Sequence, residues 1–244
     1  MNINFDLLKD FNILNTNVEI LKELVLYNPV NKKIRLGRQE DSGYVIIDGY
    51  EYDYLITCGI GHDISFELDF AKKYPHVNGL AFDSVDTNAE NLPKGIKFIE
   101  THVGWDEKEK NTNLREYVEN YNDIFIKMDI EGSEWNWIKK FDRLFTKVKQ
   151  FVFEGHYIFE IDALQSLRIL NKTHYLVHVH ENNAGKHTYV DGHNYPSFLE
   201  LTFIRKKDCE INGFNADSLP LEGIDFHSNT TYSELNMNHW PFKI

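Results

Sequence analysis

The chain of 244 residues has little cysteine, no excess of positive charge and no long apolar run. Its formal charge of −12 argues against nucleic acid or an anionic membrane surface as the main partner, because clustered Lys and Arg bind both. No apolar stretch approaches the roughly 20 residues of a membrane span. The first residues lack the basic and then apolar order of a signal peptide. With only Cys58 and Cys209 present, these absences predict a cytoplasmic protein without membrane insertion.

The composition, 42% hydrophobic and 14% aromatic, can bury one large core. Residues 1–50 predict an N-terminal cap, with a helix over 5–27 and a hairpin over 34–48. Residues 51–208 form the predicted core. The polar, irregular residues 209–244 predict a tail packed on that core. The amphipathic N-terminal segment and the tail are surfaces on which a homodimer could form.

Strands and helices alternate through the predicted core. Strands are predicted at 52–58, 78–83, 96–102, 123–129, 148–154, 174–180 and 198–205, and helices at 63–74, 113–121, 133–145 and 162–171. This alternation predicts an α/β fold with a doubly wound, Rossmann-like and mostly parallel sheet. No helix separates the last two strands, so an antiparallel partner is expected at the end.

A buried strand ends in acidic residues at Asp129 and Glu131. Gly132 permits a tight turn, Ser133 is a potential helix cap, and Glu134 lies where the positive helix end favours a carboxylate. In open α/β sheets, ligands bind at the carboxyl ends of the strands. The alternative is purely structural, with one acid capping the helix and the other solvated.

The first turn from strand to helix contains Gly59 and Gly61, and the next strand ends in Asp83. Glycines let the backbone approach a ligand closely, and an acid at the second strand end suits the two hydroxyls of a ribose. An ordinary tight turn and a helix cap are the structural alternatives.

Dinucleotides and S-adenosylmethionine both fit such a turn. The dinucleotide fingerprint requires a third glycine where this chain has Ile64. None of the 13 tyrosines is followed four positions later by Lys, as short-chain oxidoreductases require. The pattern therefore favours the methyl donor. An NAD-dependent nucleotide-sugar oxidoreductase and a catalytically silent binding protein are the rival hypotheses.

Three motifs resemble the FkbM-type class I methyltransferases, many of which act on sugars. They are Cys58-Gly59-Ile60-Gly61 with Ser65-Phe66-Glu67, then Lys127-Met128-Asp129-Ile130-Glu131-Gly132-Ser133-Glu134, and His178-Val179-His180-Glu181-Asn182-Asn183 followed by Pro196-Ser197-Phe198. The last is similar to bacterial members associated with surface-polysaccharide synthesis. Thr57 and Asp63 depart from the class I pattern, which has an acid and a glycine at these positions.

The resemblance, which covers residues 52–205, implies a seven-stranded sheet and an O-methyltransferase. The implied substrate is a sugar, expected to be a nucleotide-linked sugar for capsule or lipopolysaccharide synthesis. Asp83 would hold the ribose of S-adenosylmethionine, residues 102–105 would lie near its adenine, and Asp129 would face the transferred methyl group. The residues expected to bind the cofactor are Cys58, Gly59, Gly61, Asp63, Ser65, Asp83, Ser84, His102, Val103, Gly104 and Asp129.

The strand over 148–154 is followed by a histidine, so Glu154 and His156 should emerge beside Asp129. These three residues could bind a divalent metal, Mg²⁺ or Mn²⁺, that assists deprotonation of a sugar hydroxyl. Alternatively, His156 accepts the proton directly and Glu154 orients it. A purely structural hydrogen bond between Glu154 and His156 is the third possibility.

Five of the 11 histidines lie between residues 174 and 193. No cysteine accompanies them, which argues against a closed zinc site. His180 and Asn182, at a strand's carboxyl end, are expected to bind substrate hydroxyls, with Glu131 as a weaker candidate and His180 also as a catalytic candidate. His178 is expected to be packed, whereas His187 and His193 are predicted to lie in a loop.

Overall fold

The computed structural model describes residues 15–85, 89–104 and 111–244. The strands are β1 Tyr27–Pro29, β2 Lys33–Leu36, β3 Tyr44–Ile47, β4 Tyr54–Cys58, β5 Asn78–Asp83, β6 Ile96–Glu100, β7 His102–Val103, β8 Asn111–Thr112, β9 Ile124–Met128, β10 Val148–Gly155, β11 His174–Glu181, β12 His187–Val190, β13 His193–Pro196, β14 Leu199–Arg205 and β15 Ile211–Phe214. The helices are α1, residues 15–23, and α2 Ser65–Lys73, α3 Arg115–Val118, α4 Glu134–Phe141 and α5 Ile161–Thr173.

The central sheet has seven strands in the order β11-β14-β10-β9-β4-β5-β6. Strand β14 is antiparallel to both β10 and β11, whereas the pairs that β4 forms with β5 and β9 are parallel. Dinucleotide-binding sheets have the order 3-2-1-4-5-6. Here the last strand is inserted between the fifth and sixth. The seven-stranded, mostly parallel sheet with its flanking helices confirms the predicted Rossmann-like, doubly wound α/β fold.

One face of the sheet packs against α4 and α5 through stacked aromatic side chains. The Phe151 and Phe153 rings are stacked 4.5 Å apart, and Trp135 meets Phe153 edge-on at 5.4 Å. All three side chains are buried. Burying each phenylalanine stabilises the fold by about 1.5–3 kcal/mol. This packing fixes the orientation of β9 and β10 and therefore the position of their carboxyl ends.

The opposite face is covered by α2 and by the hairpin of β2 and β3. Tyr44, Phe66 and Val152 belong to the same buried cluster on this side. Thr202 on β14 donates a hydrogen bond to the carbonyl of Val45 at 2.6 Å. The hairpin of the N-terminal cap therefore lies directly over β10 and β14.

Several predicted elements differ from the observed ones. Residues 96–102 form β6 and the start of the separate strand β7, and the helix predicted over 113–121 is the single turn α3. Helix α4 ends at Phe141 because Asp142 has a positive φ of 21°, and the chain continues as 3-10 helix. Residues 5–14 of the predicted first helix lie outside the described residues.

The predicted loop that contains His187 and His193 is the hairpin of β12 and β13. Its turn residues Asp191 and Gly192 have φ values of 45° and 90°. An Asp-Gly pair with two positive φ angles is the strongest short hairpin signal, so the sequence contained this information. Among the described residues, no helix has the length and hydropathy needed to cross a membrane.

Candidate active site

A cavity of 610 Å³ opens at the carboxyl edge of the sheet, beside the ends of β4, β5 and β9. Nine of the predicted site residues line it: Gly59, Gly61, Asp63, Asp83, Ser84, His102, Val103, Asp129 and Glu131. The sequence analysis missed Arg38 and Ser42, which the cap contributes to the wall, and Lys127. The two acids at the end of β9 thus share one cavity with the glycine turn.

The turn after β4 requires glycine at position 59. Gly59 has a φ of 70°, and a Cβ at this position would overlap the backbone carbonyl of Asp129. The nitrogen of Gly61 donates to Asp83 Oδ2 at 2.9 Å, which joins the ends of β4 and β5. The backbone of the turn therefore lies directly against the acidic end of β9.

Three residues predicted to bind the cofactor lie outside the wall that the described residues form. Cys58 is fully buried, and burial raises the pKa of its thiol. The Ser65 hydroxyl accepts a hydrogen bond from the Arg38 nitrogen at 3.0 Å, and the Gly104 nitrogen donates to Thr112. These residues support the wall, whereas Trp105, expected near the adenine, lies outside the described residues.

Asp63 lines the cavity and also holds the start of α2. Its Oδ1 accepts a hydrogen bond from the Ser65 nitrogen at 2.8 Å, and its Oδ2 pairs with Arg38 at 3.1 Å. The pKa of Asp63 is lowered, because these bonds to Ser65 and Arg38 outweigh the opposing effect of burial. Asp63 is therefore an ionised cap that anchors the loop after β2 beside the cavity.

Glu134 organises the acidic turn after β9. Its carboxylate is fully buried, and Oε1 accepts hydrogen bonds from the nitrogens of Ile130 at 2.9 Å and Gly132 at 3.2 Å. Ser133 occupies the N-cap position but makes no capping bond through its side chain to the described residues. The expectation that Ser133 caps the helix is therefore wrong, because its backbone is already helical, with φ −89° and ψ −5°, whereas a capping residue is typically extended.

Asp129, Glu154 and His156 lie close together, and their potential ligand atoms are all within 4.8 Å of one another. Asp129 Oδ2 accepts a hydrogen bond from the Tyr44 hydroxyl at 3.4 Å. Asp129 Oδ1 is buried and has no hydrogen-bond partner among the described residues. A buried carboxylate oxygen without a partner costs free energy, so this oxygen is available to a ligand.

His156 lies between several carboxylates. Its Nδ1 is 3.2 Å from Glu134 Oε1, and its Nε2 is 3.6 Å from Glu131 Oε2 and 4.0 Å from Glu154 Oε1. Burial lowers the pKa of His156, but the bond to Glu134 and the surrounding negative charges outweigh it and raise the pKa to about 9. We assign the Nδ1 proton to the bond with Glu134, which points Nε2 toward Glu154.

Glu154 is buried beside its predicted partners. Its Oε1 accepts a hydrogen bond from Asn182 Nδ2 at 2.6 Å. Burial and the negative charge of Asp129 raise the pKa of Glu154, against the opposing effect of His156. The structure therefore places Asn182 in the acidic cluster, in contact with Glu154.

His180 lies away from the cavity. It is 0% exposed, its Nε2 is 2.9 Å from Glu234 Oε1, and its Nδ1 is 3.3 Å from Glu200 Oε2. Burial lowers the pKa of His180, but the two carboxylates outweigh this effect and raise it to about 10. His180 therefore joins β11 to β14 and to the tail. His178, expected to be packed, is buried and pairs with Asp225 of the tail at 2.9 Å.

Tyr44 of the cap is a further residue of the site that was not predicted from the sequence. Burial raises its pKa, and the carboxylates of Asp129, Glu154 and Glu200 raise it further. Lys127 lies 5.4 Å from the Tyr44 ring centroid and donates to the carbonyl of Gly59 at 2.8 Å. A neutral phenol and one ammonium group therefore lie beside Asp129 and the glycine turn.

No family model and no curated protein matches the sequence. Among solved structures, the chain is similar to M. capricolum TrmK in complex with S-adenosyl-homocysteine, with 12% identity and a TM-score of 0.39 over 64% of this chain and 63% of that chain. It is also similar to the METTL16 MTase domain, with 18% identity and a TM-score of 0.39 over 64% and 60%. It is similar as well to the fibrillarin/Nop5p complex, with 10% identity and a TM-score of 0.42 over 63% of this chain and 72% of that chain. The chain thus spans less than two thirds of the length of TrmK and of the METTL16 domain.

Proposed function

We propose that the protein is an S-adenosylmethionine-dependent O-methyltransferase that acts on a sugar hydroxyl. The observation that carries the proposal is the shared cavity, where the Gly59 turn and Asp83 meet Asp129. The Gly59 turn and Asp83 suit a nucleoside, and Asp129 suits chemistry at a hydroxyl group. The resemblance to FkbM-type proteins supports a nucleotide-linked sugar used in capsule or lipopolysaccharide synthesis.

The residues of the cavity fit the nucleoside part of the cofactor. Asp83 ends β5 with its carboxylate in the cavity wall, and its bond to the Gly61 nitrogen fixes its orientation. An acid at this strand end can accept hydrogen bonds from both ribose hydroxyls. His102 and Val103 extend the wall beyond it, which suits the base. When bound, S-adenosylmethionine supplies an electrophilic methyl group.

The cluster of Asp129, Glu154 and His156 fits a divalent cation. Two carboxylates and one imidazole are suitable ligands for Mg²⁺ or Mn²⁺. The unpartnered Oδ1 of Asp129 favours this assignment. Glu134 holds Nδ1 of His156, which is how a second carboxylate commonly orients a histidine ligand. The cation would lower the pKa of a bound sugar hydroxyl.

The protein groups would then position the hydroxyl and receive its proton. Asn182 and Glu154 form a hydrogen-bonded pair that can bind a neighbouring hydroxyl. Glu131 is 89% exposed through its side chain and lies 3.6 Å from His156, so it can exchange a proton with solvent. Tyr44 holds Asp129 Oδ2, which leaves Oδ1 directed to the ligand.

Calorimetric titration with S-adenosylhomocysteine and with NAD tests the cofactor. We expect micromolar binding of the former and none of the latter, with Asp83→Ala weakening it at least tenfold because the ribose hydroxyls lose an acceptor. Asp53→Ala is the matched control, since Asp53 holds Asn122 at the other end of the sheet. Binding of NAD alone would refute the proposal, and binding of neither would favour a silent scaffold.

Incubation with nucleotide sugars and free glycosides, followed by mass detection of one added methyl group, tests the acceptor. We expect transfer to a sugar oxygen. EDTA treatment and add-back of Mg²⁺ or Mn²⁺ test the cation. Unchanged turnover after verified metal removal would assign proton removal to protein groups alone.

A further inference from the structure

Tyr157 has an unusual backbone conformation at the edge of the acidic cluster. Its φ is 53°, although it is neither glycine nor asparagine. A left-handed conformation is uncommon and strained for a bulky residue, and such residues concentrate at ligand sites. Its side chain is nevertheless 54% exposed, so burial of the ring does not explain the strained backbone.

The Tyr157 ring lies beside the acidic turn and follows His156 directly in sequence. A Cβ built on Gly132 would be 3.5 Å from the Tyr157 Cε2 atom, so the ring covers the turn where a side chain is missing. Glu131 and Ser133, which flank Gly132, line the cavity. The ring therefore lies next to the turn whose residues Glu131 and Ser133 form part of the cavity wall.

Phe198 packs against the Tyr157 ring. The two rings are 5.2 Å apart and meet edge-on at 87°, and the Phe198 ring centroid is also 4.9 Å from that of His156. The Phe198 carbonyl accepts a hydrogen bond from the Asn182 nitrogen at 3.2 Å. Phe198 thus connects the exposed ring to Asn182, whose side chain bonds Glu154.

We propose that Tyr157, supported by Phe198, is the platform on which the pyranose ring of the acceptor stacks. This inference rests on the proposed function. A sugar ring has an apolar face of C–H groups and an edge of hydroxyls. An exposed aromatic ring suits the first, and the carboxylates and amide of Glu131, Glu154 and Asn182 suit the second. The platform would select a neutral pyranose ring and present its hydroxyl to the Asp129 cluster.

Saturation-transfer difference NMR tests the platform, with the protein saturated by S-adenosylhomocysteine and methyl glucoside, galactoside and mannoside as probes. We expect the wild type to transfer saturation to the C–H protons of one glycoside. Tyr157→Asn should weaken this binding about tenfold, because asparagine tolerates the positive φ but removes the ring. Tyr157→Phe should retain binding within about twofold, because the stacking ring is kept.

Tyr189→Ala is the control, since Tyr189 is an even more exposed aromatic residue, at 69%, on β12. Equal glycoside signals from wild type and Tyr157→Asn would overturn the inference, as would the absence of a signal from the wild type. Affinity for S-adenosylhomocysteine, measured on each variant, separates the two proposals. If all variants bind S-adenosylhomocysteine but glycoside binding does not depend on the Tyr157 ring, the platform alone is refuted. If the wild type does not bind S-adenosylhomocysteine, the proposed function is refuted.

Discussion

Gly59 and Asp129 are in backbone contact so close that any side chain on residue 59 would overlap the carbonyl of residue 129. Gly59→Ala must therefore displace the acidic turn, in addition to the strain of its positive φ. We expect a loss of several kcal/mol in the free energy of unfolding and loss of S-adenosylhomocysteine binding. Thermal unfolding and calorimetry measure both.

Gly192→Ala is the matched control for this substitution. Gly192 also has a positive φ, 90°, but among the described residues nothing lies within 4 Å of a Cβ there. It should lose only about 1–2 kcal/mol from backbone strain and retain ligand binding. Equal effects of the two substitutions would show that the contact with Asp129 is unimportant.

Glu134→Gln should separate metal binding from cofactor binding. The carboxylate orients His156 through Nδ1, and an amide cannot supply its negative charge. We expect Mn²⁺ affinity and kcat to fall ~10- to 100-fold, with S-adenosylhomocysteine affinity unchanged. Titration calorimetry with each ligand measures this, and Glu116→Gln on the surface of α3 is the control. Parallel loss of both affinities would indicate that Glu134 only stabilises the turn.

Glu234→Ala should weaken the attachment of the tail. It leaves His180 buried with one of its two carboxylate partners removed. Breaking a buried pair in this way costs about 3–5 kcal/mol, because the remaining group stays in a dry site. Denaturant unfolding measures the loss, and Glu222→Ala, exposed in the same tail, should change stability by less than about 0.5 kcal/mol. Similar stabilities of both variants would contradict the buried contact.

The buried side chain of His174 should make the folded protein less stable in mild acid. It is fully buried, with Nε2 2.9 Å from the Val148 carbonyl and Nδ1 2.8 Å from the Thr173 hydroxyl, and burial lowers its pKa to about 4. Because the folded pKa lies below the unfolded value of about 6.5, the folded state excludes the proton. The stabilisation is complete above pH ~6.5 and is lost as the pH falls toward 4, by roughly 3 kcal/mol.

Denaturant unfolding across this pH range checks the prediction. His174→Gln should show a smaller dependence of stability on pH than the wild type, because glutamine does not titrate. His76→Gln, at an exposed side chain, should follow the wild type. An unchanged slope in His174→Gln would assign the acid sensitivity to other groups.

The succession of strands and helices along the chain and the glycine turn could be predicted because both depend on residues close together in sequence. Gly59 could be recognised from the residues that flank it in the sequence, and Asp129 from the apolar strand that precedes it. The bond between Tyr44 and Asp129 joins positions 85 residues apart, and the bond between His180 and Glu234 joins positions 54 apart. Such contacts arise from how the cap and tail fold over the sheet, so the placement of His180 could not be read from its position at a strand end.

The position of β14 in the sheet also affects how the protein folds during its synthesis. Strands β10 and β11 have no pairing with each other and are joined only through β14, within the part of the chain that the structure describes. During translation, β10 keeps one open edge until residues 199–205 leave the ribosome. An open, apolar edge strand is a site of aggregation. The nascent protein therefore exposes this edge of β10 until the last strand of its central sheet arrives.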